Sequence, residues 1–216
     1  MYVPAHFAAG DLSEIAAFVE QAGAADLVTF DGTGLAASLL PVIWDPAGGG
    51  HGRLLGHLAL ANPQWSTAQP DVPALAIVRG PQAYVSPSWY LSTQEHGRTV
   101  PTWNYTSVHF TGPVMFHRDA GWLRDIVTRL TEKYEGHRDR PWRIEDAPAA
   151  YIEGQLRGIV GVEMLITRIE AKDKLSQNAS PADRAGVVAG LRAAGGPGAG
   201  AVADLMQARE AGPVTG

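Results

Sequence analysis

The sequence predicts an α+β fold in which a few helices surround an antiparallel β-barrel. Five or six extended segments are separated by turn signals, and segments with helical apolar spacing lie before, between and after them. With 216 residues, the chain can bury one substantial core but is shorter than two average domains. We therefore expect one principal domain over residues 1–194. A Gly/Ala-rich linker with a short C-terminal helix or disordered tail should follow over residues 195–216.

Helix signals mark four segments. Asp11 and Glu14 have the spacing of a capping box, and an apolar stripe follows them until Gly23. Asp119 precedes a longer segment in which apolar residues recur at helical spacing and charged residues occupy the other face. The two other predicted helices cover residues 145–156 and 180–193.

Strand signals begin with a hairpin. The dipeptide Asp31-Gly32 lies between two apolar runs, Leu27–Phe30 and Leu35–Trp44, which is a strong turn signal. The later extended segments are predicted over residues 53–61, 74–90, 100–117 and 158–170, with an exposed loop over residues 91–98. Gly80-Pro81 inside one of these segments predicts a bulge or bend, which is a common device for curling a sheet.

The composition and motif content exclude several functions. Cysteine is absent, so disulfides and thiolate chemistry are ruled out, and a metal or haem ligand must come from the seven histidines or from oxygen groups. The net charge of −5 argues against a broad basic surface for nucleic acid. Phosphate-loop, zincin and serine-hydrolase motifs do not occur. A glycine pattern at residues 32–37 resembles a dinucleotide fingerprint, but Pro41 lies where the required helix would run.

The N-terminal residues do not suggest export or membrane insertion. They lack a basic start followed by an apolar run, and no stretch of 18 consecutive apolar residues occurs in the chain. We therefore expect a cytoplasmic protein without a membrane partner.

The segment from Val100 to His109 is unusually rich in polar and aromatic residues. In a strand, its odd-numbered members Trp103, Tyr105, Ser107 and His109 would share one face. Such a face suits a flat, partly polar ligand. Aromatic residues also fill ordinary strands, so this segment alone leaves a purely structural role open.

Similar polar and aromatic clusters fall near the ends of other predicted strands. Clusters that converge in this way can hold a planar cofactor, with rings on its faces and amides or hydroxyls at its edge. For a cofactor phosphate, the available cations and hydroxyls are Ser38, Arg53 and Lys174. The predicted cofactor-binding residues are Ser38, His57, Asn62, Trp65, Tyr84, Ser86, Trp89, Trp103, Asn104, His109, Lys174 and Gln177. No residue is predicted to be catalytic.

Six motifs occur in order over about residues 1–192. They are Met1-Tyr2-Val3-Pro4, Asn62-Pro63-Gln64-Trp65, Tyr84-Val85-Ser86-Pro87-Ser88-Trp89-Tyr90, Val100-Pro101-Thr102-Trp103-Asn104-Tyr105 with Val108-His109, Gly158-Ile159-Val160-Gly161, and Lys174-Leu175-Ser176-Gln177-Asn178. Jointly, these motifs resemble the PaiB-type FMN-binding negative transcriptional regulator family. The resemblance implies a split β-barrel related to pyridoxamine-phosphate-oxidase-like flavoproteins, with FMN near the interface of a homodimer. It also implies a redox or transcriptional-regulatory role, although DNA binding rests on the family label alone.

The chain departs from the family pattern on its second strand. Many members carry Thr-His-Leu-Pro or Ser-His-Leu-Pro where this chain has Ser38-Leu39-Leu40-Pro41, and loss of the imidazole implies a more apolar pocket wall. Some similar proteins use haem instead, as piperazate synthases that close an N–N bond within an N-hydroxylated ornithine. The alternative cofactor is therefore haem b, with His57 or His109 as the candidate axial ligand. A binding protein without either cofactor is the third hypothesis.

Overall fold

A computed structural model of the chain describes residues 1–9, 11–48 and 50–210. Its strands are β1 (Ala24–Phe30), β2 (Leu35–Asp45), β3 (Arg53–Ala59), β4 (Ala74–Val85), β5 (Thr102–Gly112), β6 (Val114–His117), β7 (Ile159–Leu165) and β8 (Arg168–Lys174). Its α-helices are α1 (Leu12–Ala22), α2 (Gln64–Thr67), α3 (Leu91–His96), α4 (Ala120–Glu135), α5 (Ala149–Leu156), α6 (Pro181–Ala194) and α7 (Ala199–Glu210). Over the described ranges, no helix has the length and apolar character needed to cross a membrane.

The eight strands form one hydrogen-bonded sheet in the order β6-β7-β3-β2-β1-β4-β5-β8. The pairs β1–β2, β1–β4, β2–β3, β3–β7 and β6–β7 are antiparallel. The predicted α+β class with an antiparallel sheet is therefore confirmed. The chain divides into two compact units. Unit 1 comprises Met1–Ile15, Arg79–Val108 and Ala171–Gly216, and unit 2 comprises Ala16–Val78 and His109–Glu170.

Unit 2 is built on the predicted hairpin of β1 and β2. The Asp31 carboxylate accepts hydrogen bonds from the backbone amides of Thr33 and Gly34 at 2.7 and 2.8 Å, which closes the turn. The segment rejected as a dinucleotide site continues as β2 through Pro41, as expected. Helix α4 covers the β3–β7 pair, and Leu55 of β3 packs against Ile126 and Leu130 of the helix.

Glycine permits one close approach in unit 2. A Cβ on Gly161 of β7 would lie 2.1 Å from the ring of Trp122 in α4, so the indole ring packs directly on the strand backbone. On its other side the same ring stacks on His117, with ring centroids 4.3 Å apart. The aromatic pair thus holds the first turn of α4 against the sheet.

The core of unit 1 lies between helices α6 and α7 and the end of β4. It consists of Ala83, Val85, Leu175, Val187, Val188, Leu191, Ala199, Val202, Ala203 and Met206. Helix α7 therefore belongs to the same unit as α6. The domain limit at residue 194 stays a prediction, and residues 211–216 of the predicted tail lie outside the described residues.

The helix caps follow the sequence prediction in most respects. The Asp11 carboxylate accepts from the Glu14 amide at 3.1 Å, and Asp119 accepts from the Trp122 amide at 2.9 Å. Gly23 adopts a φ of +71°, as expected for a helix stop. The Glu14 carboxylate, however, pairs with Arg209 at 3.0 Å, because the fold brings α7 beside the start of α1.

Several sequence predictions about the elements are wrong. The segment predicted to be extended over residues 74–90 ends as strand β4 at Val85, and Pro87–Trp89 forms a 3-10 helix. The predicted loop over residues 91–98 contains helix α3, which is only six residues long and too short to show a helical repeat. The strand predicted to reach His117 is interrupted at Pro113, which has no amide proton to donate to a neighbouring strand. The strand predicted over residues 158–170 is two strands, β7 and β8, because Ile166 and Thr167 connect them.

Candidate functional site

The twelve predicted cofactor-binding residues divide between the two units. Unit 1 holds Tyr84, Ser86, Trp89, Trp103, Asn104, Lys174 and Gln177. Unit 2 holds Ser38, His57, Asn62, Trp65 and His109. Within each unit, hydrogen bonds and ring contacts show which of these residues the fold brings together.

Unit 1 contains an aromatic cluster, formed by Gln82, Tyr84, Thr102, Trp103 and Lys174. The Tyr84 and Trp103 rings are each 47% exposed, and their centroids lie 6.5 Å apart. The Trp103 indole donates to the Gln82 side-chain oxygen at 3.1 Å. Large rings that remain half-exposed beside each other are typical of binding surfaces.

Lys174 provides the cation of the aromatic cluster. Its ammonium donates to the Thr102 hydroxyl at 2.5 Å and to the Trp103 backbone carbonyl at 2.7 Å. Burial, and then repulsion from nearby Lys172, lower the pKa of Lys174 from its usual 10.5. An anion bound here would stabilise the protonated amine and would therefore raise the pKa of Lys174 again.

The other predicted residues of unit 1 have structural contacts. The fully buried Asn104 amide exchanges hydrogen bonds with the Ser176 hydroxyl at 2.9 and 3.2 Å. Gln177 accepts from the Leu175 amide at 2.7 Å, and its side-chain amide donates to a backbone carbonyl. Ser86 accepts from the Ser88 amide at 3.3 Å. Any contact of these side chains with a cofactor stays a prediction.

Trp89 packs against helix α6, where two glycines make room for it. A Cβ on Gly190 would lie 2.3 Å from the Trp89 ring, and a Cβ on Gly186 would lie 2.1 Å from the Trp89 carbonyl oxygen. The ring belongs to the edge of the unit 1 core. This position gives Trp89 a packing role.

In unit 2, Ser38 and Asn62 meet at the end of the β1–β2 hairpin. The Asn62 amide donates to the Ser38 hydroxyl at 2.8 Å, across 24 residues of chain. Trp65 lies on helix α2 and donates its indole proton to the Leu60 carbonyl at 2.9 Å. The guanidinium of Arg118 lies over the Trp65 ring, 5.8 Å from its centroid. Sequence reasoning missed Arg118, because only the fold brings residue 118 to residue 65.

His57 on β3 and His109 on β5 are both partly buried. Burial lowers the pKa of each imidazole below its usual 6.5, so the neutral form is favoured. A neutral imidazole with an open nitrogen is the form that ligates iron. Over the described residues, no cluster of three or more histidine, aspartate or glutamate side chains could hold a metal ion.

Arg53, a candidate for binding a cofactor phosphate, is paired with two carboxylates. Its guanidinium pairs with Asp45 at 3.1 Å and with Glu163 at 3.0 Å. The side chain of Glu163 is 9% exposed and also accepts a 2.7 Å hydrogen bond from His117. These pairs give Arg53 a structural role in unit 2, and a contact with phosphate stays a prediction.

Comparison with known proteins agrees with this fold. The protein is similar in structure to the flavocytochrome Anf3 of Azotobacter vinelandii, with 12% identity, a TM-score of 0.56, and coverage of 80% of this chain and 72% of that chain. It is also similar to the FAD and heme binding protein of Mycobacterium smegmatis, with 14% identity, a TM-score of 0.54, and coverage of 87% and 80%. Together with the antiparallel sheet, these similarities define the class as an α+β split β-barrel.

Sequence comparison identifies the family within that class. Residues 1–168 match the family model described as "Putative FMN-binding domain". The chain is 36% identical over 208 residues to the protease synthase and sporulation protein PAI 2 of Bacillus subtilis, which covers 96% of this chain and 97% of the relative. The protein therefore belongs to the PaiB-type FMN-binding family, as its motifs suggested.

Proposed function

We propose that this protein is a PaiB-like flavoprotein that holds FMN at the aromatic cluster of unit 1 and uses it in redox chemistry. The observation that carries this proposal is the pair of half-exposed rings, Tyr84 and Trp103, beside the partly buried ammonium of Lys174. These side chains fit the chemistry of the cofactor. Aromatic rings complement a flat ring system, and a fixed cation complements either its phosphate or negative charge on the flavin.

When bound, FMN supplies hydride and single-electron transfer. The protein would contribute binding and electrostatics. Trp103 and Tyr84 provide stacking surface, and the hydrogen bond from Trp103 to Gln82 fixes the orientation of the indole. Lys174 holds its proton beside the Trp103 carbonyl, which keeps a positive charge at the edge of the rings. The name of the flavocytochrome to which the fold is similar supports this redox assignment.

The proposal includes a homodimer formed through an exposed face of the β1–β2 hairpin. Residues paired across the two strands point to the same face, and Phe30 pairs with Leu35 while Val28 pairs with Ala37. Leu35 and Leu39 on this face are 77% and 69% exposed. Asp26 pairs with Leu39 and lies on the same face, so the apolar part is formed by the leucines and their neighbours. Two leucines this exposed favour burial against an apolar surface, and a second copy of the chain offers the same surface.

The visible spectrum of the purified protein, expressed with flavin and haem precursors available, tests the proposal. We expect paired bands near about 370 and 450 nm, which are typical of a bound flavin. A spectrum without these bands, and no binding of added FMN at micromolar concentration, would contradict it. A sharp Soret band near about 400 nm would instead favour a haem protein.

A haem enzyme of the piperazate synthase type is the second candidate. It is favoured by His57, because burial lowers the pKa of its imidazole and favours the neutral form, and because it has no hydrogen-bond partner within the described part of the chain. In such a reaction the hydroxylamine N–O bond breaks, an N–N bond forms with the second amine, and the hydroxyl leaves as water. The closure is redox neutral overall, so it needs no external reductant. If haem is bound, His57→Ala or His109→Ala should release it, and retention in both variants would exclude imidazole ligation.

A transcriptional role rests on the family label and requires DNA binding. The net charge of −5 disfavours sequence-independent contact with phosphates, so any binding would depend on a local basic patch. Gel-shift titration with the promoter of its own gene, at physiological salt, tests this role. Saturable binding with a strong salt dependence would favour it, and no shift would count against it.

A further inference from the structure

Unit 2 contains a large cavity that none of the predicted cofactor residues lines. The cavity has a volume of about 680 Å³ and lies between the first turn of α4 and the C-terminal half of α5. Leu123, Leu156 and Ile159 form an apolar wall, and four charged residues form the remainder of the lining together with Ala120 and Gly121. A volume of this size is in the usual range for sites that bind small organic molecules.

The charges around the cavity are strongly unbalanced. Three arginines, Arg118, Arg124 and Arg157, line it against one carboxylate, Glu153. This excess of positive charge occurs in a chain whose net charge is −5. Among the described residues, none of the three guanidiniums forms an ion pair with a carboxylate, whereas Arg53, Arg129, Arg138, Arg168, Arg192 and Arg209 all do.

One contact of the fold holds positive charge at the cavity. Arg118 is positioned over the Trp65 ring, which restrains its guanidinium without neutralising it. The 16-residue helix α4 begins at the cavity, and its first residues Ala120 and Gly121 form part of the lining. The Asp119 carboxylate caps the Trp122 amide at this end of the helix, so the arginines carry the positive charge of the site.

We propose that this arginine cavity binds a small phosphate monoester. Guanidinium groups bind phosphate through paired N–H donors, and three of them suit a dianion with three terminal oxygens. The organic part of the ligand would lie on the wall of Leu123, Leu156 and Ile159, and Glu153 would accept a hydrogen bond from a hydroxyl or amine. The cavity lies in unit 2, whereas the aromatic cluster lies in unit 1, so this site is additional to the proposed FMN site.

Calorimetric titration tests this proposal with 5′-AMP, phenyl phosphate and inorganic phosphate as probes. The full-length protein is first saturated with riboflavin, which has the flavin ring but no phosphate, so that the aromatic cluster cannot contribute heat and the arginine cavity stays open. If the protein takes up no flavin, the same titration is run on the protein as purified, which separates the two proposals. We expect 5′-AMP to bind with an affinity that falls as salt is added, and adenosine not to bind.

Variants locate the bound phosphate. Arg124→Gln and Arg157→Gln should each weaken 5′-AMP binding about tenfold or more, because each removes a charged hydrogen bond. Arg140→Gln removes the same charge from an exposed loop residue outside the cavity and should bind like the unchanged protein. Circular dichroism melting confirms that the variants are folded.

Three outcomes would overturn the proposal. The first is no binding of any of the three phosphate probes to the unchanged protein, a measurement that needs no variant. The second is an equal loss of affinity in Arg140→Gln and the two cavity variants. The third is equal binding of adenosine and 5′-AMP, or of succinate and 5′-AMP, since either would remove the requirement for phosphate.

Discussion

The Lys174 ammonium lies 2.7 Å from the backbone carbonyl oxygen of Trp103, although 71 residues of chain separate them. The contact joins the end of β8 to the start of β5 within unit 1. It places a fixed cation at the edge of an indole ring that is itself 47% exposed. The proposed flavin site depends on this pairing of charge and aromatic surface.

Replacement of Trp103 by alanine tests the stacking surface. We expect Trp103→Ala to weaken FMN binding by about two- to tenfold, which corresponds to the loss of an aromatic contact worth about 0.5–1.5 kcal/mol. Quenching of flavin fluorescence measures the affinity. Trp142→Ala is the matched control, since Trp142 is 45% exposed but lies in unit 2. Unchanged affinity in Trp103→Ala would exclude this site.

The protonation of Lys174 makes FMN binding dependent on pH. Burial and Lys172 lower the pKa of Lys174 from 10.5, so the free protein loses this proton at a lower pH than an exposed lysine would. An anionic ligand favours the protonated amine, and FMN affinity should therefore fall as pH rises through this lowered pKa. Lys174→Met should bind more weakly and lose the pH dependence. Lys174→Arg should keep its affinity across the same alkaline range, because arginine stays charged.

Introduction of a charge on the exposed hairpin face tests the homodimer. Leu39→Lys should sediment as a monomer in analytical ultracentrifugation, because a lysine replaces a side chain that is 69% exposed in the isolated chain and would be buried in the dimer. Leu91→Lys, at a leucine 48% exposed in unit 1, is the control and should sediment like the unchanged protein. A monomeric unchanged protein, or a dimeric Leu39→Lys, would contradict the proposed interface.

Acid should destabilise the protein partly through His57. Burial lowers the folded-state pKa of His57 below 6.5, so the unfolded chain binds the proton more readily. The stability associated with neutral His57 is thus present above about pH 6.5 and is lost as pH falls through the lowered pKa. Thermal melting between about pH 7.5 and 5 should show a smaller decrease in Tm for His57→Gln than for the unchanged protein. His51→Gln, at an exposed loop histidine, should leave the decrease unchanged.

The buried pair of Asn104 and Ser176 should contribute to stability. Asn104→Ala leaves the Ser176 hydroxyl without its partner in the unit 1 core, at a cost of about 1–3 kcal/mol in the free energy of unfolding. Urea titration followed by circular dichroism measures the change. Asn178→Ala, at an exposed position two residues beyond Ser176, should alter the free energy of unfolding by less than about 0.5 kcal/mol. Equal effects at the two positions would show that the buried pair is unimportant.

Local patterns in the sequence were sufficient for much of the fold. The Asp31-Gly32 turn, the caps at Asp11 and Asp119, and the helix opened by Ser180-Pro181 all appear as expected. In each of these turns and helix caps, a side chain or a glycine satisfies backbone groups a few residues away. Such local interactions can be recognised without knowledge of the rest of the chain.

Elements with weak local signals were harder to predict. Helix α3 has six residues, and a contact from a distant element supports it, since the Ser92 amide donates to Asp183 of α6 at 2.9 Å. The break between β5 and β6 falls at Pro113, which has no amide proton to donate. The division of β7 from β8 carries no such local signal, and it falls where the Ile166 amide donates to the Gly52 carbonyl at 3.0 Å. For α3 and for the end of β7, contacts with distant residues mark the limits of the element.

The family, the antiparallel α+β class and most residues of the aromatic cluster could be predicted from the residues alone. The family motifs are ordered along the chain, and strand periodicity depends only on near neighbours. The tertiary structure alone decided that Arg53 is committed to Asp45 and Glu163, and that Lys174 lies against Trp103. It also brought three arginines from separate elements around one cavity. The charge state and partners of a side chain depend on long-range contacts, which residue spacing does not encode.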